Sequence, residues 1–279
     1  MSRSLDGGPS RSERSQQEAG ERVTHQGCSD ARRQESKTVY HFCGHNYHLS
    51  QRQTAMLRDI GAFRTITAES LQKHVYRGDE DRFRKDLRNL TDQRLVTVQP
   101  DSRGKDRYVS LTRSGKSMTE AYLNSSAEQS LYSGIVKRRE LRHDAGIYDV
   151  YQKEAHKISK SGGTVKRVVL DFELKKNVNR QLAKIQNLSP AERERERQRI
   201  AEEHGLKIVQ GKIQIPDVRL EYESQEQEQC KVDLECVTGH YKARQIAAKN
   251  SAGFKLYNQD YRGRSAERGE DLIGEVMSL

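Results

Sequence analysis

Residues 80–111 read EDRFRKDLRNLTDQRLVTVQPDSRGKDRYVSL, and their pattern carries the strongest structural signal in the chain. Its first part places Phe83, Leu87 and Leu90 at the i, i+4 and i+7 positions of one helix face, which predicts a helix over residues 80–93. A β-prone segment then runs to Pro100, turn residues follow, and residues 107–111 are β-prone again. The stretch therefore predicts one amphipathic helix followed by a two-stranded hairpin.

Two shorter helices are predicted before this stretch and one after it. Ser50, Thr67 and Thr112 are the residue types that cap helices, and each stands just before a segment of helical spacing. The three predicted helices span residues 51–60, 68–75 and 113–123. Helix, helix, turn, helix, hairpin and helix is the order of a winged helix-turn-helix, whose third helix enters the DNA major groove. We therefore predict an α+β protein with a winged helix-turn-helix over residues 38–125.

Six cationic side chains lie where such a domain would meet DNA. On the helix of residues 80–93 they stand opposite the apolar stripe, and in the hairpin they are in reach of backbone phosphates. They are Arg84, Lys85 and Arg88 on the helix, and Arg103, Lys105 and Arg107 in the hairpin. We predict that they bind double-stranded DNA. The alternatives are an ordinary solvated face balanced by nearby aspartates, or a surface that binds protein.

The composition agrees with a soluble, basic protein. The 279 residues include 50 Lys and Arg against 40 Asp and Glu, a net charge of +10. The hydrophobic share is 33%, below the usual ~45–50%. No apolar run approaches the roughly 18 residues of a spanning helix, and the polar N-terminus predicts no secretory signal. Four cysteines do not make a disulfide framework, so we predict a cytoplasmic protein with no membrane partner.

The two ends of the chain are predicted to be loose. Residues 1–37 are rich in small and charged residues, which predicts a disordered basic and polar tail, and residues 259–279 predict a flexible tail. Zinc ligands are crowded near the first tail, without the pair spacing typical of zinc sites. They are His25, Cys28, His41, Cys43, His45 and His48. We expect a structural or disordered role for them, with zinc binding as the alternative.

Residues 126–258 predict a second, α/β domain with a charged helical insertion at 175–205. A helix over 131–158 precedes strands over 167–174, 212–222 and 229–237, and another helix begins near His240. The second of these strands carries Asp217, and period-2 alternation places Glu235 on one face of the third. Helix, three strands and helix with acids on the strands resembles the core of PD-(D/E)xK nucleases.

The acids of this second domain suit phosphodiester chemistry. Two carboxylates can hold a hard divalent cation, Mg²⁺ or Mn²⁺, and a lysine can stabilise the transition state. The motif has its lysine two residues after the acid, where this chain has Val237. The candidates to replace it are Lys231 on the same strand and Lys242 and Lys249 on the next helix. We predict Asp217, Glu235 and Lys249 as catalytic residues; the alternatives are a degenerate core and merely polar strand positions.

Several segments also resemble the replication-relaxation family, found on bacterial plasmids and mobile elements and akin to plasmid mobilisation relaxases. They are LRHD at 141–144, IYDVY at 147–151, IPD at 215–217 and LE at 234–235, and the resemblance covers residues 49–258. It implies His143 and Asp149, with Asp217 and Glu235, as metal ligands. The family has an acid where Val237 stands. The LTRSGK segment at 111–116 is similar to the wing exit of MarR-like winged helices.

Three functional hypotheses follow. The first, which we favour, is a DNA-binding protein of plasmid or mobile-element maintenance or mobilisation. It would bind duplex DNA as a homodimer on a palindromic site, with a degenerate nuclease-like domain for assembly or non-catalytic contact. The second is a metal-dependent DNA nickase at a plasmid or mobile-element origin. The third is a MarR-like transcriptional repressor of its own operon.

Overall fold

The computed structural model of the chain describes residues 36–101, 104–123, 128–134, 140–239 and 241–258. The two predicted tails lie outside these residues, apart from Ser36 and Lys37. The described part is mixed α+β, with eight helices and four small sheets. None of its helices has both the length and the apolar character needed to cross a membrane.

The first half of the described chain has the predicted order of helices and hairpin. In chain order the elements are β1 (Lys37–Phe42), β2 (His45–Ser50), α1 (Gln51–Phe63), β3 (Ile66–Thr67), α2 (Ala68–His74), α3 (Glu80–Asp92), β4 (Val96–Pro100), β5 (Arg107–Leu111) and α4 (Arg113–Tyr122). Ser50 and Gln53 form a capping box at the start of α1, each side chain accepting the other's backbone N–H. Thr67 and Thr112 cap α2 and α4 as predicted.

These helices surround a three-stranded antiparallel sheet in the order β3, β5, β4. Phe83, Leu87 and Leu90 form the buried stripe of α3, as the spacing predicts. The elements follow one another in the order predicted for a winged helix-turn-helix, and we call this half the winged helix and its β4–β5 hairpin the wing. A second hairpin, of β1 and β2, precedes α1.

The second half of the described chain is built on a four-stranded sheet. Its elements are α5 (Leu141–Lys160), β6 (Thr164–Leu170), α6 (Asp171–Lys184), α7 (Pro190–Glu203), β7 (Ile208–Val209), β8 (Lys212–Ile213), β9 (Val218–Glu223), β10 (Gln229–Val237), α8 (Ala243–Ser251) and β11 (Lys255–Asn258). The strand order is β6, β9, β10, β11, and β9 runs antiparallel to both its neighbours. β11 runs parallel to β10, which requires the crossover that α8 provides.

The prediction of a helix from residue 131 is wrong, because α5 begins only at Leu141. The backbone N–H of Tyr132 donates to the carbonyl of Gly61 at 2.8 Å, and that of Gly134 donates to the carbonyl of Leu111 at 2.9 Å. The segment is therefore held against α1 and β5. Gly134 also has φ +70°, which lies outside the helical region.

Two strand predictions are also wrong in their bounds. β6 ends at Leu170 rather than at residue 174, since Leu174 and Val178 follow at helical spacing and form the buried side of α6. The strand predicted over 212–222 is divided into β8 and β9, with residues 214–217 between them. α8 begins at Ala243, and β11 was not predicted at all.

The two halves share one hydrophobic core. The ring of Phe63 on α1 lies 5.1 Å from the ring of Tyr148 and 4.7 Å from that of Tyr151, both on α5. The hydroxyl of Tyr148 donates to Oδ2 of Asp59 at 2.6 Å. Buried residues of both halves belong to one continuous cluster. α5 therefore joins the winged helix to the four-stranded sheet by packing rather than by a tether.

Candidate functional site

The exposed side of α3 carries the three cations predicted to meet DNA. Arg84, Lys85 and Arg88 are all exposed, opposite the buried stripe of the helix. Arg84 is ion-paired with Glu80 one turn earlier, and both side chains are 60% exposed. Because such a pair is screened by water, it contributes little to stability. α3 therefore presents its cations without depending on them for its own fold.

The hairpin of β4 and β5 holds two further cations at the surface, Lys105 in its turn and Arg107 at the start of β5. The backbone N–H of Asp101 donates to the carbonyl of Asp106 at 2.9 Å, and Oδ1 of Asp101 accepts the backbone N–H of Lys105 at 2.9 Å. Lys105 and Arg107 are exposed. Arg103, the third predicted cation of the hairpin, lies outside the described residues.

Asp217 and Glu235 are brought together by the pairing of β9 with β10. Because Val218 pairs with Leu234, the residue just before β9 lies beside the one after Leu234. Oδ2 of Asp217 accepts the backbone N–H of Cys236 at 2.8 Å, and Oε2 of Glu235 accepts the backbone N–H of Asp217 at 3.2 Å. The carboxylate of Asp217 is thus bound by the backbone next to Glu235, and the carboxylate of Glu235 by the backbone of Asp217. The side chains are 12% and 1% exposed.

Lys249 places a cation beside Glu235, although Val237 stands two residues after this acid, where the nuclease motif has its lysine. From α8, its Nζ lies 2.8 Å from Oε1 of Glu235 and donates to the carbonyl of Ile215 at 2.6 Å. The hydroxyl of Tyr241 donates to the same Oε1 of Glu235 at 2.9 Å. The other two candidate lysines lie elsewhere: Lys242 is exposed at the start of α8, and Lys231 donates to the carbonyl of Gly205 at 3.3 Å.

The environment of the two carboxylates favours a nearby positive charge. Burial raises the pKa of Glu235, and the charge of Asp217 raises it further, while Lys249 and Tyr241 act in the opposite direction. Like charges in a buried site destabilise each other unless a cation balances them. Burial also raises the pKa of the neighbouring Cys236 thiol, so this thiol stays protonated and adds no third charge.

His143 reaches the pair from the first turns of α5. Its Nδ1 lies 3.5 Å from Oδ1 of Asp144 and its Nε2 lies 3.3 Å from Oδ2 of Asp217. These hydrogen bonds outweigh burial and raise the pKa of His143 to about 10. The imidazole is therefore protonated at neutral pH. In this arrangement His143 is a second counter-ion of the carboxylates, whereas a metal-ligating imidazole is neutral.

Asp149, the remaining ligand implied by the family resemblance, pairs with a different element. Its Oδ1 lies 3.3 Å from Nε2 of His74 on α2. Among the described residues, no group of three or more His, Cys, Asp or Glu side chains is placed to hold a metal ion. The segment with crowded zinc ligands has His41, Cys43, His45 and His48 in the β1–β2 hairpin, while His25 and Cys28 lie outside the described residues.

Tyr241 and α6 are the parts of the site that sequence reasoning missed. Tyr241 lies between β10 and α8, and its only signal is its position just after the acid-bearing strand. α6 begins at the site, because the backbone N–H of Asp171 donates to the carbonyl of Asp217 at 3.0 Å. The strand predicted through residue 174 concealed this helix start.

Comparisons with known proteins add little to the geometry. No protein-family model matches the sequence, and no curated protein matches it. A solved structure of a mutant of MepR, from a multidrug-resistant S. aureus clinical isolate, is similar over 38% of this chain and 80% of that one. The identity is 18% and the TM-score 0.27. A likeness at that score supports no argument about the fold or function of this chain.

Proposed function

We propose that this protein binds double-stranded DNA through α3 and the β4–β5 hairpin. The observation that carries the proposal is the exposed cationic side of α3, formed by Arg84, Lys85 and Arg88. In a winged helix-turn-helix this helix enters the major groove. Arginine pairs with guanine edges in that groove, and both arginine and lysine bind phosphates.

The hairpin supplies a second contact. Lys105 and Arg107 are exposed on the wing, where they can bind the phosphates that flank the groove. The net charge of +10 adds a general attraction to a polyanion, so affinity should fall as salt rises. Two copies on a palindromic site, one winged helix per half-site, follow the usual geometry of this class. The family resemblance would place that site on a plasmid or mobile element.

Charge reversal on α3 tests the proposal in a gel shift with duplex DNA. We expect the double variant Arg84→Glu, Arg88→Glu to lose binding, because both contacts become repulsive. The matched control, Lys160→Glu with Arg195→Glu, makes the same change of charge at exposed positions of α5 and α7. It should shift DNA almost as the wild type does. Unchanged affinity of the α3 variant would overturn the proposal.

We also propose a second function, metal-dependent nicking of DNA at the Asp217–Glu235 pair. The observation that favours it is the position of Lys249, whose Nζ lies 2.8 Å from Oε1 of Glu235. PD-(D/E)xK nucleases, which the second domain resembles, carry this lysine on the same strand as the acid. Here a lysine from α8 reaches the same carboxylate, although Val237 occupies the position in sequence.

The donor set of the pair fits a hard divalent cation. Asp217 and Glu235 present carboxylate oxygens, the ligand type that Mg²⁺ and Mn²⁺ prefer. These two residues would hold the ion. A bound ion would share with Lys249 and the protonated His143 the balancing of their charge. When bound, it supplies an activated water and stabilises charge at the scissile phosphate.

The remaining side chains of the cluster act on charge and position. Lys249 can stabilise the negative charge that develops on the phosphate oxygens. Tyr241 orients Glu235 by donating to its Oε1, and the protonated His143 orients Asp217 through its Oδ2. Lys249 and Tyr241 oppose the effect of burial on the pKa of Glu235 and favour its ionised form.

Incubation with supercoiled plasmid separates the two functions. The plasmids come from a library with candidate replication and transfer origins, and the reaction is run with and without Mg²⁺ or Mn²⁺. Conversion to open circle that requires the metal and is lost in Glu235→Gln supports nicking. Glu226→Gln, an exposed turn position, is the matched control. Plasmid that is retarded but never cut excludes nicking and leaves DNA binding, by a maintenance protein or a MarR-like repressor.

A further inference from the structure

α6 has an exposed side that is cationic along its length. The exposed residues of this helix after its first turn include four cations and no acid: Lys175, Lys176, Asn179, Arg180, Ala183 and Lys184. α7, the next helix, also carries many arginines, but Arg197 pairs with Glu194 and Arg199 pairs with Glu196. α6 is therefore the helix of this insertion whose positive charge is least compensated.

The cationic side starts at the carboxylate pair. The backbone N–H of Asp171, the first residue of α6, donates to the carbonyl of Asp217 at 3.0 Å. Nζ of Lys175, one turn later, lies 2.5 Å from Oδ2 of Asp171. Burial lowers the pKa of Lys175, but Asp171 and then the charges of Asp217 and Glu235 raise it overall. Lys175 is thus close enough to Asp217 and Glu235 for their charges to raise its pKa.

The other three cations continue away from the pair along one edge of the helix. Lys176, Arg180 and Lys184 stand at i, i+4 and i+8, so about 12 Å separates the first from the last along the axis. That length covers roughly three phosphates, which lie about 3.4 Å apart along one strand of a duplex. Within the described part of the chain, none of the three is ion-paired, and Arg180 has only Asn177 as a hydrogen-bond partner, at 3.4 Å.

We propose that the cationic side of α6 binds the sugar-phosphate backbone of DNA next to the Asp217–Glu235 pair. These cations hold one DNA strand so that its sugar-phosphate backbone runs from the Asp217–Glu235 pair along α6. The proposal deepens the DNA-binding function proposed above and rests on DNA being the partner. Such contacts are to phosphates alone, so they are independent of sequence and strongly dependent on salt.

The test compares four proteins by fluorescence anisotropy with labelled duplex and single-stranded DNA over a range of salt. They are the wild type, the α6 variant Lys176→Gln with Arg180→Gln, the matched control Lys160→Gln with Arg195→Gln, and the α3 variant Arg84→Glu with Arg88→Glu. We expect the α6 variant to bind about ten- to a hundredfold more weakly, with a salt slope reduced by about 2. The control should bind as the wild type does.

Each outcome separates this inference from the proposed function. If the α6 variant and the control bind equally, the inference is wrong, whatever the α3 variant shows. If the α3 variant binds normally but the α6 variant is weakened, the winged-helix function fails and the inference stands. If the wild type binds neither form of DNA, both fail. Circular dichroism of all four proteins confirms that each is folded, since the substituted side chains are exposed.

Discussion

Lys249 shows, at the scale of a single residue, how much of a site depends on where an element is placed. Period-2 alternation predicts the face of the strand on which Glu235 lies. Its position beside Asp217, which lies just before β9 and not in the predicted strand, follows from the pairing of Val218 with Leu234. Lys249 is the lysine predicted among three candidates, but the docking of α8 brings its Nζ to 2.8 Å from Oε1 of Glu235, and no pattern of the sequence shows that docking. Tyr241 is hidden from sequence for the same reason: its role follows from the turn that leads into that helix.

The two lysines of this region give a matched pair of variants. We expect Lys249→Gln to reduce metal-dependent nicking about 10²- to 10³-fold, because it removes a donor to the developing charge. Lys242→Gln, at the exposed start of α8, should nick at the wild-type rate. Both variants should bind DNA normally in a gel shift. Equal nicking rates for the two would show that Lys249 has no part in the reaction.

His143 makes the stability of the protein depend on pH. Its hydrogen bonds to Asp144 and Asp217 raise its pKa from 6.5 to about 10 in the folded state. The stabilisation is therefore complete below pH 6.5 and is lost as pH rises toward 10. We expect the charged His143 to contribute about 1–2 kcal/mol to the free energy of unfolding, since its side chain is partly exposed.

Denaturant unfolding at several pH values measures this effect. The difference in free energy of unfolding between wild type and His143→Gln should shrink between pH 6.5 and 8.5. The buried Cys236 thiol is present in both proteins, so its contribution cancels from this difference. A difference that stays constant with pH would mean that His143 is not held as a cation.

At the scale of elements, the start of α4 depends on one glycine. A Cβ on Gly115 would lie 1.9 Å from the backbone carbonyl oxygen of Leu95, an impossible approach. The first turn of α4 therefore packs directly against the chain that leads into β4, and this contact fixes the base of the wing. It gives a structural reason for glycine in the LTRSGK segment.

We expect Gly115→Ala to cost about 2–4 kcal/mol of stability, because backbone must move to admit the methyl group. Ser114→Ala is the control, since Ser114 is exposed on the same turn. Thermal unfolding should show a clear loss of Tm for the first variant and little change for the second. If the two melt alike, α4 does not pack on Leu95 as described.

Sequence predicts elements well where local signals agree and poorly where packing decides. α1 to α4, the wing and β10 follow from caps, turn residues and apolar spacing. Residues 131–134 were predicted as helix, but hydrogen bonds to α1 and β5, which no local pattern shows, hold them outside one. β11 has only four residues, so it forms because β10 offers it an edge. The boundary of β6 and α6 was missed because Phe172 and Leu174 suit either element.

At the scale of the whole molecule, the shared core predicts one unfolding transition. Phe63 packs against Tyr148 and Tyr151, so its removal weakens the contact between α1 and α5. We expect Phe63→Ala to cost about 3–5 kcal/mol, felt by both halves. Leu188→Ala, at a partly exposed position outside the cluster, should cost much less.

Hydrogen exchange measures whether the two halves unfold together. In Phe63→Ala, peptides from α3 and from β9–β10 should lose protection together and by similar amounts. Loss of protection in the winged helix alone would show that the halves unfold independently.

The packing of α5 between the winged helix and the sheet also has a consequence for DNA. A protein whose DNA-binding domain and nuclease domain are joined by a flexible linker cleaves over a range of positions. Here the proposed DNA-binding surface and the proposed nicking site would belong to one rigid unit, so the distance between them would be constant. The number of base pairs between the recognised sequence and any phosphate that reaches Asp217 would then be a single fixed value.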